Sequence, residues 1–335
     1  MRHIHLKGSS QEIGLQAASV LAEERKNGYP PNYPEEVLEK SMEYNEQVKL
    51  IAPEFLEELH VISDTHNIDY RRLVTLELSP LRWQSSCLVM AISGEHTSDG
   101  LPVLARNQEW MESDAENLRV IHSQPDGRLK SVGTNFAWTL ASRYGGMNEA
   151  GVALAAASAT FDDPKPGIII NVATRWVLEN CRTTKEAVDF LESMPKVWGE
   201  TYIIVDKNNT IAKVESHRKR TVTTYSSSGF AYNTLLYDTT EMRQLVSSER
   251  MDRVGEIQSI RKEFIEEWFK EHKGTITTEL IKNVLKDHEH KVCYHSMEGL
   301  EVCWSYILEP TEQNLLFCQG RPCKNEYVAF KPKFS

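Results

Sequence analysis

Residues 87–110 read Cys-Leu-Val-Met-Ala-Ile-Ser-Gly-Glu-His-Thr-Ser-Asp-Gly-Leu-Pro-Val-Leu-Ala-Arg-Asn-Gln-Glu-Trp. The apolar run at 87–93 is long enough for one buried strand. Residues 94–100 are turn-like, and Asp99-Gly100 is a strong hairpin signal. Residues 101–110 then form the return strand. With Ser93 facing Leu101, opposed residue numbers sum to about 194, so Cys87 falls opposite about Asn107. Arg106 and Glu109 lie close to Cys87 in that register. A guanidinium beside a thiol favours the thiolate, which is the nucleophilic form. An Arg and a Glu in an otherwise apolar hairpin need partners, either each other or a reacting group. The same residues also suit a plainer arrangement, with Cys87 filling a sheet core and Arg106–Glu109 as a structural ion pair. A slip of one residue reverses the face of every side chain, so spacing alone leaves both open.

Upstream of the hairpin, residues 1–86 read as helical. Ser9 stands three residues before Glu12, the spacing of a capping box, and the apolar residues Ile13, Leu15, Ala18, Val20 and Leu21 follow. Residues 35–51 and 53–62 continue the pattern, with Pro53 at a helix start. Downstream, 119–122, 136–141 and 152–158 are strand candidates. Residues 168–180 and 183–191 are helical, the second opening on Thr183 and Glu186 in capping-box spacing. Strands follow at 202–205, 210–215 and 221–225. A long charged amphipathic helix covers 247–272 and a shorter one 277–285. Strands return at 301–308, 314–317 and 327–330. Strands grouped in hairpins, with helices between the groups, predict an α+β fold of mostly antiparallel sheets covered by helices.

The chain has 335 residues, 40% hydrophobic and 26% charged, which suits one large domain or two small ones. A formal charge of −10 argues against nonspecific nucleic-acid binding and against an anionic membrane surface. The basic stretch His217-Arg-Lys-Arg220 reads as a solvated turn. No apolar segment suited to a signal peptide follows Met1, and no apolar run reaches the roughly 18 residues of a membrane span. The expected location is the cytoplasm, with no nucleic-acid or membrane partner. Cysteines 87, 181, 293, 303, 318 and 323 form no CxxC pair, and disulfides are not expected. His288, His290, Cys293 and His295 have metal-ligand types at short spacing, which allows a zinc hydrolase as an alternative. They lack an HExxH or CxxC frame, so a polar loop before a strand is the plainer account. Neither a dinucleotide-binding nor a P-loop motif is present, nor a Gly-x-Ser-x-Gly elbow.

The Cys-led strand, the Gly-containing turn and Arg106-Asn-Gln-Glu-Trp110 together resemble the acyl-CoA:6-aminopenicillanate acyltransferase-like family. That family belongs to the N-terminal-nucleophile hydrolases and is related to choloylglycine and penicillin V hydrolases. Its usual pattern is a Cys-led strand followed by Arg-Asn-x-Asp-Trp. Other stretches agree in order. Residues 144–152, Tyr-Gly-Gly-Met-Asn-Glu-Ala-Gly-Val, are similar to its Gly-Met-Asn-Glu-x-Gly-Leu hairpin, and 183–191 to its Thr-x-x-Glu-Ala helix. Ala231-Tyr-Asn-Thr234 stands where the family has Thr-Asn-His, and 320–327 resembles its closing Gly-x-Pro-Cys motif. The chain departs from the pattern at Ser86, where many members have Gly, and at Glu109, where Asp is usual. It departs again at the Tyr-Asn-Thr segment, and at Tyr294, where relatives often carry Arg before His.

The resemblance implies a four-layer αββα sandwich with no metal or bound cofactor. Residues 1–86 would be a helical N-terminal segment and propeptide, and 87–335 the catalytic domain. Cys87 would be the nucleophile, exposed as an N-terminus by self-cleavage between Ser86 and Cys87 to leave an α/β heterodimer. Arg106 and Glu109 would orient its amine and thiol. Asn233 would donate to the oxyanion, with Ser158 as a second donor. The implied substrate is a small-molecule amide or an acyl-CoA thioester, and CoA would enter only as part of a substrate. A non-catalytic small-molecule binding protein on the same fold is the alternative from a different class, ahead of a zinc hydrolase using His288, His290 and His295.

Overall fold

In the computed structural model of the chain, residues 2–24, 28–80, 87–137, 139–161, 163–295, 300–332 and 334 are described. The N-terminal part runs β1 (Arg2–Gly8), α1 (Ser10–Glu24), α2 (Glu35–Ile51), α3 (Pro53–His66) and α4 (Tyr70–Leu78). Then come β2 (Cys87–Ile92), β3 (Val103–Met111), β4 (Leu118–Pro125), β5 (Ser131–Phe136), β6 (Gly145–Asn148) and β7 (Val152–Thr160). Two helices, α5 (Ile170–Asn180) and α6 (Thr184–Ser193), precede β8 (Gly199–Asp206), β9 (Ile211–His217), β10 (Arg220–Tyr225) and β11 (Phe230–Asn233). The chain closes with α7 (Thr240–Arg243), α8 (Ser248–His272), α9 (Thr278–Lys286), β12 (Leu300–Glu309), β13 (Asn314–Gln319) and β14 (Val328–Phe330).

The strands form two sheets. One has eight strands in the order β1-β4-β5-β6-β7-β8-β9-β10, and the other six in the order β11-β2-β3-β12-β13-β14. Every pairing is antiparallel except β1 with β4. Side-chain alternation along β2 shows how the layers stack. Val89 and Ala91 join the large core between the sheets, whereas Leu88, Met90 and Ile92 pack with Ile265, Trp268 and Phe269 of α8 and Ile281, Val284 and Leu285 of α9. A strand apolar on both faces is one buried on both sides. The large core also takes in α1, α3 and α5 against the eight-stranded sheet. The order of layers is therefore helix, sheet, sheet, helix, as expected. No helix among the described residues is long and apolar enough to cross a membrane.

Local signals account for several boundaries. The Ser9 hydroxyl accepts from the Glu12 amide at 3.3 Å while the Glu12 carboxylate accepts from the Ser9 amide at 2.8 Å, a reciprocal capping box. The Thr183, Ser247 and Thr277 hydroxyls cap α6, α8 and α9, each accepting from the amide three residues on, without the reciprocal carboxylate bond. Two regions differ from expectation. The N-terminal segment is helical but opens on a strand, because His3-Ile4-His5-Leu6 alternates polar and apolar residues and buries Ile4 and Leu6. The strand expected at 136–141 lies at Ser131–Phe136 instead, and Trp138 is outside the described residues.

The segment before Cys87 shares a sheet, a core and buried ion pairs with the rest of the chain. β1 supplies the edge of the larger sheet in register with β4, Ile4 opposite Ile121. Arg175 of α5 is fully buried between Glu58 of α3, at 2.6 Å, and Glu179, at 2.8 Å. Arg128 bridges Glu54 and Glu179 at 2.9 and 2.8 Å. Removing one member of such a network would strand a buried charge, at a cost of about 3–5 kcal/mol.

Candidate active site

Cys87 is the first residue of β2 and is fully buried. It pairs with Gln108 of β3, one residue beyond the expected Asn107. That single step sorts the Arg-Asn-Gln-Glu stretch by face, since paired residues share a face and neighbours alternate. Arg106 and Gln108 stand with Cys87 between the two sheets. The Arg106 Nη2 donates to Cys87 Sγ at 3.2 Å. Asn107 and Glu109 turn to the helix layer. Asn107 Nδ2 donates to the Leu285 and Val292 carbonyls at 2.9 and 3.0 Å, and Glu109 pairs with Arg261 of α8. The expected Arg106–Glu109 pair therefore does not form, and Glu109 does not reach Cys87. Burial pushes the Glu109 carboxyl up, and Arg261 pulls it partly back.

β11 lies on the other side of β2, with Asn233 opposite Val89. Cys87 is two residues along from Val89, so Asn233 shares its face as a diagonal neighbour, about 7–8 Å away. One amide hydrogen of Asn233 is used on the Thr234 carbonyl, at 3.3 Å, and the side chain is fully buried. An amide nitrogen carries two donors, so one remains to give. Ser158 stands elsewhere. It pairs with Glu200, whose carboxylate accepts from the Ile170 amide at the start of α5 and from the Tyr202 hydroxyl. Ser158 thus lies on the face turned to α5, away from Cys87. Ser86 lies outside the described residues.

The space between the sheets holds residues that sequence spacing did not bring together. Tyr306 of β12 pairs with Arg106, and its hydroxyl meets the space a side chain at Gly145 of β6 would need. Gly145 therefore permits a close approach between the sheets. Burial disfavours the Arg106 charge, and the Cys87 sulfur and Tyr306 hydroxyl offset this so that the net shift is upward. Thr201 of β8 pairs with Ala157, one position along from the outward Glu200, and so faces inward; β8 packs against β2 and β11. Gln108 Oε1, Asn233 Oδ1 and Thr201 Oγ1 are buried without a hydrogen-bond partner among the described residues. The thiols of Cys181 and Cys318 are pushed up to about 12 by burial, which leaves them inert.

The expected metal set is only partly assembled. His290 hydrogen-bonds Asp287 at 3.2 Å and stacks on Phe264, with ring centroids 4.0 Å apart. His288, Cys293 and His295 are instead joined by Cys323.

A model of the acyl-coenzyme A:6-aminopenicillanic acid acyl-transferase family matches residues 96–312, well over half of the chain. The match includes Arg106, Glu109, Ser158 and Asn233 and begins after β2, so Cys87 precedes it. No curated protein matches in sequence. Among solved structures, a Caenorhabditis elegans N-acylethanolamine-hydrolyzing acid amidase ortholog aligns with a TM-score of 0.50 at 14% identity, over 67% of this chain and 93% of its own. A mutant conjugated bile acid hydrolase from Clostridium perfringens aligns with a TM-score of 0.49 at 14% identity, over 74% of this chain and 98% of its own. Penicillin V acylase from Agrobacterium tumefaciens gives 0.46 at 17% identity, over 70% and 83%. At 14% identity the likeness to the acid amidase ortholog is one of fold.

Proposed function

The chain belongs to the acyl-coenzyme A:6-aminopenicillanic acid acyl-transferase family, and from that premise we propose that it cleaves a small-molecule amide or acyl thioester through an acyl-enzyme on Cys87. The observation that carries the reading is the fully buried Cys87 Sγ held at 3.2 Å from Arg106 Nη2, on a face where Gln108, Asn233 and Thr201 leave polar atoms unpaired. In the proposed activation, Sγ attacks the Ser86 carbonyl and the acyl group passes from nitrogen to sulfur. Water then releases residues 1–86 as a carboxylate and frees the Cys87 amine. An α-amine has a pKa of about 7.7–8.0, so one residue becomes both nucleophile and base near neutral pH. In turnover the amine takes the thiol proton, Sγ attacks the substrate carbonyl, and the Asn233 amide donates to the oxyanion. The leaving amine or thiol departs with a proton, and water or an acceptor amine resolves the acyl-enzyme.

Cleavage would not release the N-terminal fragment. The β1–β4 ladder, the shared core and the Arg175–Glu58 and Arg128–Glu54 pairs span the two halves, which supports a tightly held α/β heterodimer. The test is intact-mass analysis under denaturing conditions beside native size exclusion. The expected result is two fragments, 1–86 and 87–335, that co-elute natively, and an uncut chain for Cys87→Ala. Cleavage that persists in Cys87→Ala, or acyl-enzyme that forms on another residue, would overturn the reading. An uncut wild-type chain whose Cys87 resists iodoacetamide would favour a binding protein.

A further inference from the structure

Four side chains outside the space between the sheets converge at the end of the smaller sheet. His288, Cys293 and His295 come from the loop between α9 and β12, and Cys323 from the turn after β13. One ligand atom from each lies within 4.8 Å of all the others. His295 Nε2 sits between the two sulfurs, 3.5 Å from Cys293 and 3.6 Å from Cys323. Zinc–sulfur and zinc–nitrogen bonds of about 2.3 and 2.05 Å at the tetrahedral angle require a sulfur–nitrogen edge of about 3.6 Å. Two edges of the tetrahedron are therefore already drawn, and closing the widest takes a contraction of at most about 1.5 Å.

We propose that His288, Cys293, His295 and Cys323 bind a zinc ion with a structural role. Two thiolates and two imidazoles suit zinc and fill all four positions, which leaves none for a catalytic water. Binding releases one proton from each thiol to solvent and forms two zinc–sulfur and two zinc–nitrogen bonds, with no change of oxidation state. The ion would fasten the loop to the β13 turn. The same loop supplies the Lys291 carbonyl that accepts from Arg261 Nε at 2.7 Å and the Val292 carbonyl that accepts from Asn107. Arg261 in turn pairs with Glu109. The zinc would thus support the outer face of β3, the strand whose inner face carries Arg106.

The test uses the full chain purified without chelator and then equilibrated with zinc. The expected result is about one zinc per chain by elemental analysis. Cobalt exchanged into the site should give intense visible bands and sulfur-to-cobalt absorption in the near ultraviolet. Cys293→Ser combined with Cys323→Ser should abolish both signals, the exposed His288→Ala should weaken retention against a chelator, and His290→Ala should leave it unchanged. Should the double variant fail to fold, zinc release from the wild-type chain with two thiols unmasked per metal carries the same information. Both thiols freely reactive in zinc-equilibrated protein, a Cys293–Cys323 disulfide by peptide mapping, or zinc kept by the double variant would overturn the proposal.

Discussion

Arg106→Met separates a guanidinium that activates a thiol from one that merely fills the sandwich. Arg106 is 1% exposed, and its guanidinium meets the Cys87 sulfur, at 3.2 Å, and the Tyr306 hydroxyl. A hydrogen bond from a charged donor is worth about 1.5–3 kcal/mol, and each 1.4 kcal/mol is about tenfold in rate or equilibrium. Methionine keeps much of the volume and removes the charge. Alkylation of Cys87 by iodoacetamide near neutral pH should therefore slow by about 10–100-fold. Arg106→Lys, which restores a charge without the planar fork, should fall between. Stability should hold or rise, since a buried cation is removed without stranding an anion. Peptide mass spectrometry of timed quenches gives the Cys87 rate, with Cys181 as an internal control that stays unmodified. A folded Arg106→Met chain that alkylates at the wild-type rate would refute the assignment.

Asn233→Ala should lower turnover of an amide probe by about 10²–10³-fold with little change in melting midpoint, measured as initial rates beside calorimetry. Glu109→Ala should cost about 3–5 kcal/mol by urea titration, because Arg261 is left charged and buried, and adding Arg261→Leu should recover much of it. If Glu109 instead acted at Cys87, the single variant would lose activity at unchanged stability. Gly145→Ala should destabilise by about 1–3 kcal/mol, since the new methyl meets the Tyr306 hydroxyl, and Tyr306→Phe should relieve part of this. His122 is held down to about 4 by burial and by His5 and His3 beside it. The unfolded chain therefore binds the extra proton first, and stability should fall as pH drops from about 6.5 towards 4, by no more than about 3 kcal/mol before screening. Buried Glu77 and Glu200, raised to about 7, act in the opposite direction over the same range. The measurement is therefore the stability of wild type minus that of His122→Asn, and this difference should fall as pH drops from about 6.5 towards 4.

Periodicity and caps carried most of the fold. The 87–110 hairpin, the long charged helix and the Thr183 cap are local patterns, and local patterns survive folding because tertiary contacts reinforce them. The opening strand was readable too, in the alternation of His3 to Leu6, but seven residues beside long helices invite the helical reading. The site was half legible. Cys87 and Arg106 meet because a hairpin is closed by its own turn. Glu109 does not join them because a step of one residue sends it through the sheet, and no turn signal fixes register that finely. Tyr306 and Thr201 arrive from strands paired only by the whole topology, so nothing near Cys87 in sequence announces them. Cys323 is invisible for the same reason, and His290, with the right type and spacing, is drawn off by Asp287 and Phe264.

The alternation in Arg106-Asn-Gln-Glu109 bears on how the two proposals relate. A strand cannot move one face without the other, so the inward position of Arg106 and Gln108 depends on what holds Asn107 and Glu109. Those two are held by the Leu285 and Val292 carbonyls and by Arg261, which also binds the Lys291 carbonyl. Two of these three anchors are tied to the 287–295 loop, Val292 directly and Arg261 through the Lys291 carbonyl, and that loop carries three of the four zinc ligands. Stripping the metal should thus slow Cys87 alkylation in wild type by loosening Arg106. It should have little further effect in Arg106→Met, where the guanidinium is already gone. Equal slowing in both chains would show that the loop reaches the thiol by some route other than β3.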